Sequence, residues 1–374
     1  MIDPRWKNAH KLLLVRLDNL GDVLLMTPAL RALKRALPQT DLTLLCSPVG
    51  AQVGRLNPDL AQVIVYEAPW IDPWQKLPRD SQREQEMIAR LKAGQFDGAI
   101  IFTSFRQSSL PAAYLCYLAD IPLRLAASLD GPGSLLTIRH RHPERMMHEV
   151  ERALDLVSAL GVEPAESRLV LRVPAPAVQD VENYLAEWQL TEQYPLIALH
   201  PGCTMPARTY PWELYSEVAR LLVEQLDAVV LITGAAGERA LVERVRERMP
   251  AAARERTLAV AGALPFPAFC GLLQRADLLI TNNTGPMHIA AAVQTPVVAL
   301  FALTNPPEQW GPWQVAHRQL FHEVACRLCY SRVCPYEQEC LRLVSPPMIV
   351  QAAGELLAER VREKEGSVCT HLPG

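Results

Sequence analysis

The chain has 374 residues, too many for one ordinary domain and enough for two. Hydrophobic residues make up 49% and charged residues 21%, which excludes a disordered chain, because so much apolar surface can offset the entropy of ordering. With 37 basic and 40 acidic residues the net charge is −3, and aromatics are only 6%. Neither the global charge nor the stacking surface of a nucleic-acid binder is present, so no nucleic-acid partner is expected.

Met1 to His10 is mixed polar, and the first apolar run, Leu12 to Val15, is too short for a signal-peptide core. No run approaches the ~18 apolar residues of a spanning helix. Nine cysteines in a long chain without an export signal argue for a reducing compartment. The expected setting is cytoplasmic, with at most peripheral membrane contact.

The chain opens on a strand pattern, Lys11 to Leu17, then the polar loop Asp18 to Asp22, then a helical period from Val23 to Leu37. Strands follow at Leu42 to Cys46, Val63 to Tyr66 and Gly98 to Phe102, with a polar helix at Ser81 to Ala93. The alternation predicts a parallel sheet wound with helices. The same grammar restarts after the proline-rich passage Val173 to Ala177. It continues as strand Leu196 to His200, helix Trp212 to Leu226, strand Ala228 to Thr233 and helix Glu238 to Met249. Then come helix Phe266 to Arg275, strand Asp277 to Thr281, a helix opening at Pro286, and strand Pro296 to Phe301. A last amphipathic helix is predicted over Pro346 to Glu363, with fraying from Gly366. Two Rossmann-like units facing a cleft account for this pattern, with the divisions 1–174, 175–345 and a terminal helix segment 346–374.

In such sheets ligands sit at the carboxyl ends of the strands, so the loops after them hold the candidate chemistry. Gly21-Asp22 stands directly before a helix, where the aspartate serves as an N-cap or as a general base. In the second half, Thr204 and Arg208 follow a strand and the Pro-Gly turn. A hydroxyl and a planar guanidinium there suit an anion. Thr281-Asn-Asn-Thr-Gly-Pro-Met-His288 brings a helix N-terminus to a strand end, the arrangement that favours a diphosphate. His288 lies on its first turn, and Glu238 closes another strand, either accepting from a ribose hydroxyl or sitting at a helix start.

The metal-chelating Asp-x-Asp, the Gly-x4-Gly-Lys-Ser/Thr phosphate loop and a Gly-x-Gly-x-x-Gly after the first strand are all missing, which disfavours a kinase or a standard dehydrogenase. Cys326, Cys329, Cys334 and Cys340 fall within fifteen residues. They are candidate ligands for a structural zinc or iron ion, with buried thiols or redox-dependent disulfides as the alternatives. The basic run Arg139-His-Arg-His142 with Arg145 reads as a solvated face, or else as a contact for phosphorylated sugars or anionic headgroups.

Taken in order, Arg16-x4-Gly21-Asp22-x3-Met26-Thr-Pro-Ala29, then Leu199-His-Pro-Gly202 with Arg208-x-x-Pro211, then Asn282-Asn-Thr-Gly-Pro-Met-His288 with Gly311-Pro312, resemble glycosyltransferase family 9, the ADP-heptose:lipopolysaccharide heptosyltransferases. The resemblance extends to His148-Glu-Val-Glu-Arg152 and the cysteine-rich segment, so it spans nearly the whole chain. It implies a GT-B fold with an N-terminal acceptor-binding unit, a C-terminal nucleotide-sugar-binding unit, and a last helix that crosses back to the first unit. It also implies inverting transfer without a catalytic metal or cofactor, from a nucleotide-diphosphate sugar to a lipid-linked or lipopolysaccharide-type saccharide. By position, Asp22 matches the family's base, Arg208 a diphosphate-contacting Lys, and Thr204 a hydroxyl contact. Gly21 shares the Gly-Asp motif, and Asn283, Thr284, Gly285 and His288 match the Asp-Thr-Gly-x-x-His nucleotide loop. Asn283 departs from that loop's Asp, and Arg208 from the Lys. The alternatives are a nucleotide-sugar 2-epimerase on the same scaffold and a non-catalytic nucleotide-sugar-binding protein of envelope assembly.

Overall fold

The computed structural model describes residues 2–72, 76–78, 80–188 and 193–369, the last seven as backbone. Its contacts divide the chain into two units, Met1–Arg172 and Val173–Gly374. The first carries strands β1 (Lys11–Arg16), β2 (Asp41–Cys46), β3 (Gln62–Val65), β4 (Gly98–Ile101), β5 (Leu123–Ala127) and β6 (Ile138–His140). They form one parallel sheet in the order β3-β2-β1-β4-β5-β6. The second unit carries β7 (Leu196–His200), β8 (Val229–Gly234), β9 (Thr257–Ala261), β10 (Leu278–Asn282), β11 (Val297–Leu300) and β12 (His317–Leu320). Their parallel order is β12-β11-β10-β7-β8-β9.

The central strands read as nearly unbroken apolar runs because helices cover both faces of a parallel sheet. Leu12, Leu13 and Leu14 of β1 and Ile197, Ala198 and Leu199 of β7 are fully buried. In each sheet the order reverses once, between β1 and β4 and between β7 and β10. A crevice opens at the carboxyl end of such a reversal, since the two flanking loops leave in opposite directions. Those ends are Arg16 and Ile101 in one unit and His200 and Asn282 in the other.

The helical period expected over Val23 to Leu37 is two helices, Leu20–Leu25 and Thr27–Ala36. They break at Met26 because Pro28 brings no N–H and is favoured only in a helix's first turn. Strands β5, β6, β9 and β12 are additions to the sequence reading. The final helix runs Pro346–Cys369, past the fraying expected at Gly366; residues 370–374 lie outside the described residues. It packs on the helix Trp212–Leu226 through Ile349, Val350, Ala353 and Leu356, within the second unit's core. No helix among the described residues is long and apolar enough to cross a membrane.

Candidate active site

In the first unit the chemistry collects at the β1/β4 reversal. Arg16, the last residue of β1, is 3% exposed and meets three carboxylates. Its Nε lies 2.8 Å from Asp18, and its Nη2 lies 3.1 Å from Asp22 and 3.7 Å from Glu149. From the loop after β4, the Ser104 hydroxyl accepts from Arg16 Nη2 at 2.7 Å and lies 2.6 Å from Asp18 Oδ2 and 3.3 Å from Asp22 Oδ1. Asp22 is not itself the N-cap. Asn19 holds that position, and Asp22, three residues on, takes the Asn19 N–H on Oδ2 at 3.0 Å as the reciprocal half of a capping box. Gly21, one residue earlier in that helix, is buried. The aspartate's two oxygens are thus aimed by the backbone on one side and by Arg16 and Ser104 on the other.

Glu149 and Arg152 arrive on the helix Glu149–Ser158. His148 caps it, its Nδ1 accepting from the Val150 N–H at 3.2 Å while Glu151 Oε2 takes the His148 N–H at 3.0 Å. The His-Glu-Val-Glu-Arg motif therefore starts a helix whose first turn carries Glu149 inward, 3.2 Å from Arg152. Three buried carboxylates against two guanidiniums leave one negative charge in excess. Burial raises the pKa of Asp18 above its ordinary value, Arg16 pulls it down and the Asp22 charge adds to the rise.

In the second unit the β7/β10 reversal gathers four loops. Asn282 ties them together: Oδ1 accepts from the Tyr210 N–H at 3.0 Å, and Nδ2 donates to the Pro201 carbonyl at 3.0 Å. At Gly202 the Glu238 carboxylate comes close to the backbone: a Cβ would stand 2.1 Å from Glu238 Oε1, so a side chain there would displace that carboxylate. Glu238 in turn accepts the Ala235 N–H at 2.7 Å, closing the β8 turn, so of its two expected roles the structure shows the one at a helix start. Arg208 is half-buried, and its Nε donates to Thr304 Oγ1 at 2.9 Å. Thr304 bonds Asn305 at 3.1 Å, and Asn305 accepts from Asn283 Nδ2 at 3.2 Å. Asn283 also accepts the Ala302 N–H at 3.3 Å, so its amide is engaged inside the protein at both ends. Thr284 is the N-cap of the helix Gly285–Ala292 without a side-chain cap bond; its hydroxyl meets the Cys203 thiol instead. Pro286 is the second helical residue, one later than expected, with Gly285 first. His288 is buried on the first turn, and Thr204 is exposed in the loop after β7.

His200, at the end of β7, is 8% exposed, with Nδ1 2.9 Å from Thr233 Oγ1. Burial lowers its pKa from 6.5 to about 4, the Glu238 charge opposing. The folded state therefore binds fewer protons than the unfolded chain between those values, so stability is full above pH 6.5 and is lost as pH falls toward 4. Acid titration of the melting temperature is expected to show this slope, and His200→Gln to flatten it; an unchanged slope in that variant would remove His200 as its source.

Cys326, Cys329, Cys334 and Cys340 are free thiols lining one small cavity of about 20 Å³ with Ala207 and Thr304. The segment braces the Arg208 loop, since the Ala207 N–H donates to the Arg332 carbonyl at 2.9 Å and the Tyr330 N–H to the Thr304 carbonyl at 2.9 Å. Among the described residues, His140, His142 and Asp155 bring three ligand atoms within 4.8 Å of one another; no three cysteine sulfurs do. The basic run is only in part the solvated face expected from sequence: Arg141 and Arg145 are exposed, while Arg139, His140 and His142 turn inward. Residues 138–140 are strand β6, Arg139 donates to the Ser128 carbonyl at 3.0 Å, and both histidines turn to Asp155. Edge-strand pairing with β5 draws these side chains into local bonds.

Sequence reasoning missed Asp18, Ser104, Thr304 and Asn305. Asp18 carried a weak signal, a second carboxylate four residues before Asp22; Ser104, Thr304 and Asn305 carried none.

Two parallel α/β units, each with polar residues at its strand-order reversal, are the fold of the GT-B class of glycosyltransferases. The model of glycosyltransferase family 9 (heptosyltransferase) matches residues 85–339, and the chain belongs to that family. It is 28% identical to lipopolysaccharide heptosyltransferase 1 of Pseudomonas aeruginosa, over 87% of this chain and 88% of that one. It is 27% identical to lipooligosaccharide heptosyltransferase 2 of Haemophilus influenzae, over 71% of this chain and 78% of that one. The solved ADP-heptose lipopolysaccharide heptosyltransferase II of Escherichia coli shares the fold with a TM-score of 0.75 at 20% identity, covering 94% of this chain and 99% of that one.

Proposed function

We propose that this glycosyltransferase moves heptose from ADP-heptose to a lipopolysaccharide-core type of saccharide, with inversion and without a catalytic metal. The observation that carries the reading is Asp22, a buried carboxylate aimed by Asn19, Arg16 and Ser104 at the carboxyl end of β1. Inverting transfer passes through an oxocarbenium-like centre, so a base must remove the acceptor's proton as the bond to the leaving diphosphate breaks. Asp22 takes that proton. The leaving group gathers negative charge, which the Arg208 guanidinium and the amides at the start of the helix Gly285–Ala292 offset. Thr304 holds Arg208 in place, so little reorganisation is needed as the charge develops. Thr204, Thr284, Gly285 and His288 complete the donor loops, with Glu238 closing the β8 turn and Asn283 shaping the loop from within. The names of the relatives support heptose, ADP and a lipopolysaccharide acceptor.

The cysteine segment fits the same reading as a brace for the Arg208 loop. Its four thiols would supply a tetrathiolate for a structural zinc or iron ion if the sulfurs drew together. A peripheral position at the inner face of the cytoplasmic membrane would bring a lipid-linked acceptor within reach.

Arg208→Ala is expected to lower kcat by about 10²–10³-fold and to weaken ADP binding by about tenfold or more. Calorimetric titration with ADP checks the second effect, and wild-type affinity there would rule out the diphosphate clamp. Thermal shift with ADP, UDP and GDP tests the base; stabilisation by UDP or GDP in place of ADP would overturn the donor assignment.

A further inference from the structure

His140, His142 and Asp155 stand apart from every role assigned above. His140 ends β6, His142 lies two residues on, and Asp155 comes from the helix Glu149–Ser158 packed beside them. His140 Nε2 and His142 Nδ1 both lie 2.6 Å from the same oxygen, Asp155 Oδ2. The rings meet edge to face, with centroids 5.1 Å apart and planes at 81°, so the two nitrogens approach that oxygen from different directions. Side-chain exposures are 17%, 13% and 22%, which shelters the cluster while leaving one side open to water.

We propose that this cluster is a binding site for a zinc-type divalent cation. Two imidazoles and one carboxylate are the donor set such an ion prefers, whereas calcium and magnesium favour all-oxygen cages. Ligand bonds of ~2.0–2.2 Å at a tetrahedral centre put donor atoms roughly 3.3 Å apart. The present 2.6 Å contacts open by less than one ångström to reach that spacing. On binding, each neutral imidazole moves its one proton from the nitrogen facing Asp155 to its far nitrogen and gives the freed near lone pair to the ion, Asp155 binds as the anion, and water fills the fourth position.

The charges around the cluster do not close it to a cation. Arg152, one turn before Asp155, is held by Glu149 at 3.2 Å. Arg139 points to the carbonyls of Ser128 and Leu129, and Arg141 is exposed. The ion would staple edge strand β6 to the helix that carries Glu149 and Arg152. A water-sized cavity of about 10 Å³ lined by His142, Arg152, Glu149 and Arg16 lies between that staple and the Asp22 network. The site is therefore structural, and it stands whether or not the donor is ADP-heptose.

The test is titration of the metal-free, reduced full chain with Zn²⁺ alone, read by calorimetry and by metal analysis after dialysis. One equivalent is expected at this site, together with a rise in melting temperature. Asp155→Asn and His142→Ala should each weaken that equivalent by about tenfold or more and remove the thermal shift. If either variant fails to fold by circular dichroism, His140→Gln reads the same equivalent. Co²⁺ in place of Zn²⁺ separates this site from the cysteines, since nitrogen and oxygen ligands give no thiolate charge-transfer band. The proposal is overturned if the wild type takes up no zinc, or if all bound metal shows the thiolate band and survives Asp155→Asn.

Discussion

Asp22→Asn is expected to reduce turnover by about 10²–10⁴-fold, the range for loss of a positioned general base, while ADP binding by the second unit stays near wild type. The isostere isolates the chemistry. An amide oxygen can still accept from the Asn19 N–H, which now meets Oδ2 at 3.0 Å, so the capping box and the helix Leu20–Leu25 are retained. The amide nitrogen, turned toward Arg16 Nη2 in place of the oxygen 3.1 Å away, sets donor against donor and costs about 1 kcal/mol. That is small beside the loss of a group able to take a proton. Because the change touches neither Arg208 nor the 284–288 turn, kcat should fall with little change in donor KM. A steady-state comparison decides it; turnover within a few-fold of wild type would show that another group removes the proton.

The second large effect is on stability. Arg16→Met keeps an unbranched apolar stem but removes the guanidinium and strands the carboxylates of Asp18, Asp22 and Glu149, with Arg152 on Glu149 as a remaining partner. Breaking a buried pair by removing one member costs ~3–5 kcal/mol, because the other charge stays buried. The loss should depend on pH in a stated direction. Asp18 already has a raised pKa when folded, and losing the neighbouring cation raises it further. The folded state then binds more protons than the unfolded chain, so stability falls as pH rises from the ordinary value of 3.8 through the raised one. The variant should therefore be least impaired in acid. Hydrogen exchange at the amides of β1 and β4 reads the effect locally. Protection equal to wild type at neutral pH would mean that the network does not hold the first unit together.

Most of the fold was legible along the chain because parallel strands buried on both faces must be apolar throughout. The runs around Leu12–Leu14 and Ile197–Leu199 announce themselves, as do the proline and glycine residues at the loops they enter. Strands β6 and β12 did not, since edge strands this short carry polar side chains such as His140 and Arg318 and leave no periodic signal. Candidate residues were legible where a loop and a helix start adjoin in sequence, as at Gly21-Asp22 and Thr284-Gly-Pro286. There local backbone geometry sets the direction of the side chain.

By itself the sequence determined that two wound units exist, which loops follow their strands, and that Asp22 and Arg208 lie in those loops. Tertiary structure alone decided what those residues touch. Ser104 reaches Asp18 across 86 positions, Thr304 reaches Arg208 across 96, and Asn282 closes onto Tyr210 across 72. Strand-order reversal brings such distant loops side by side, and only then do burial and neighbouring charge raise the pKa of Asp18 and lower that of His200.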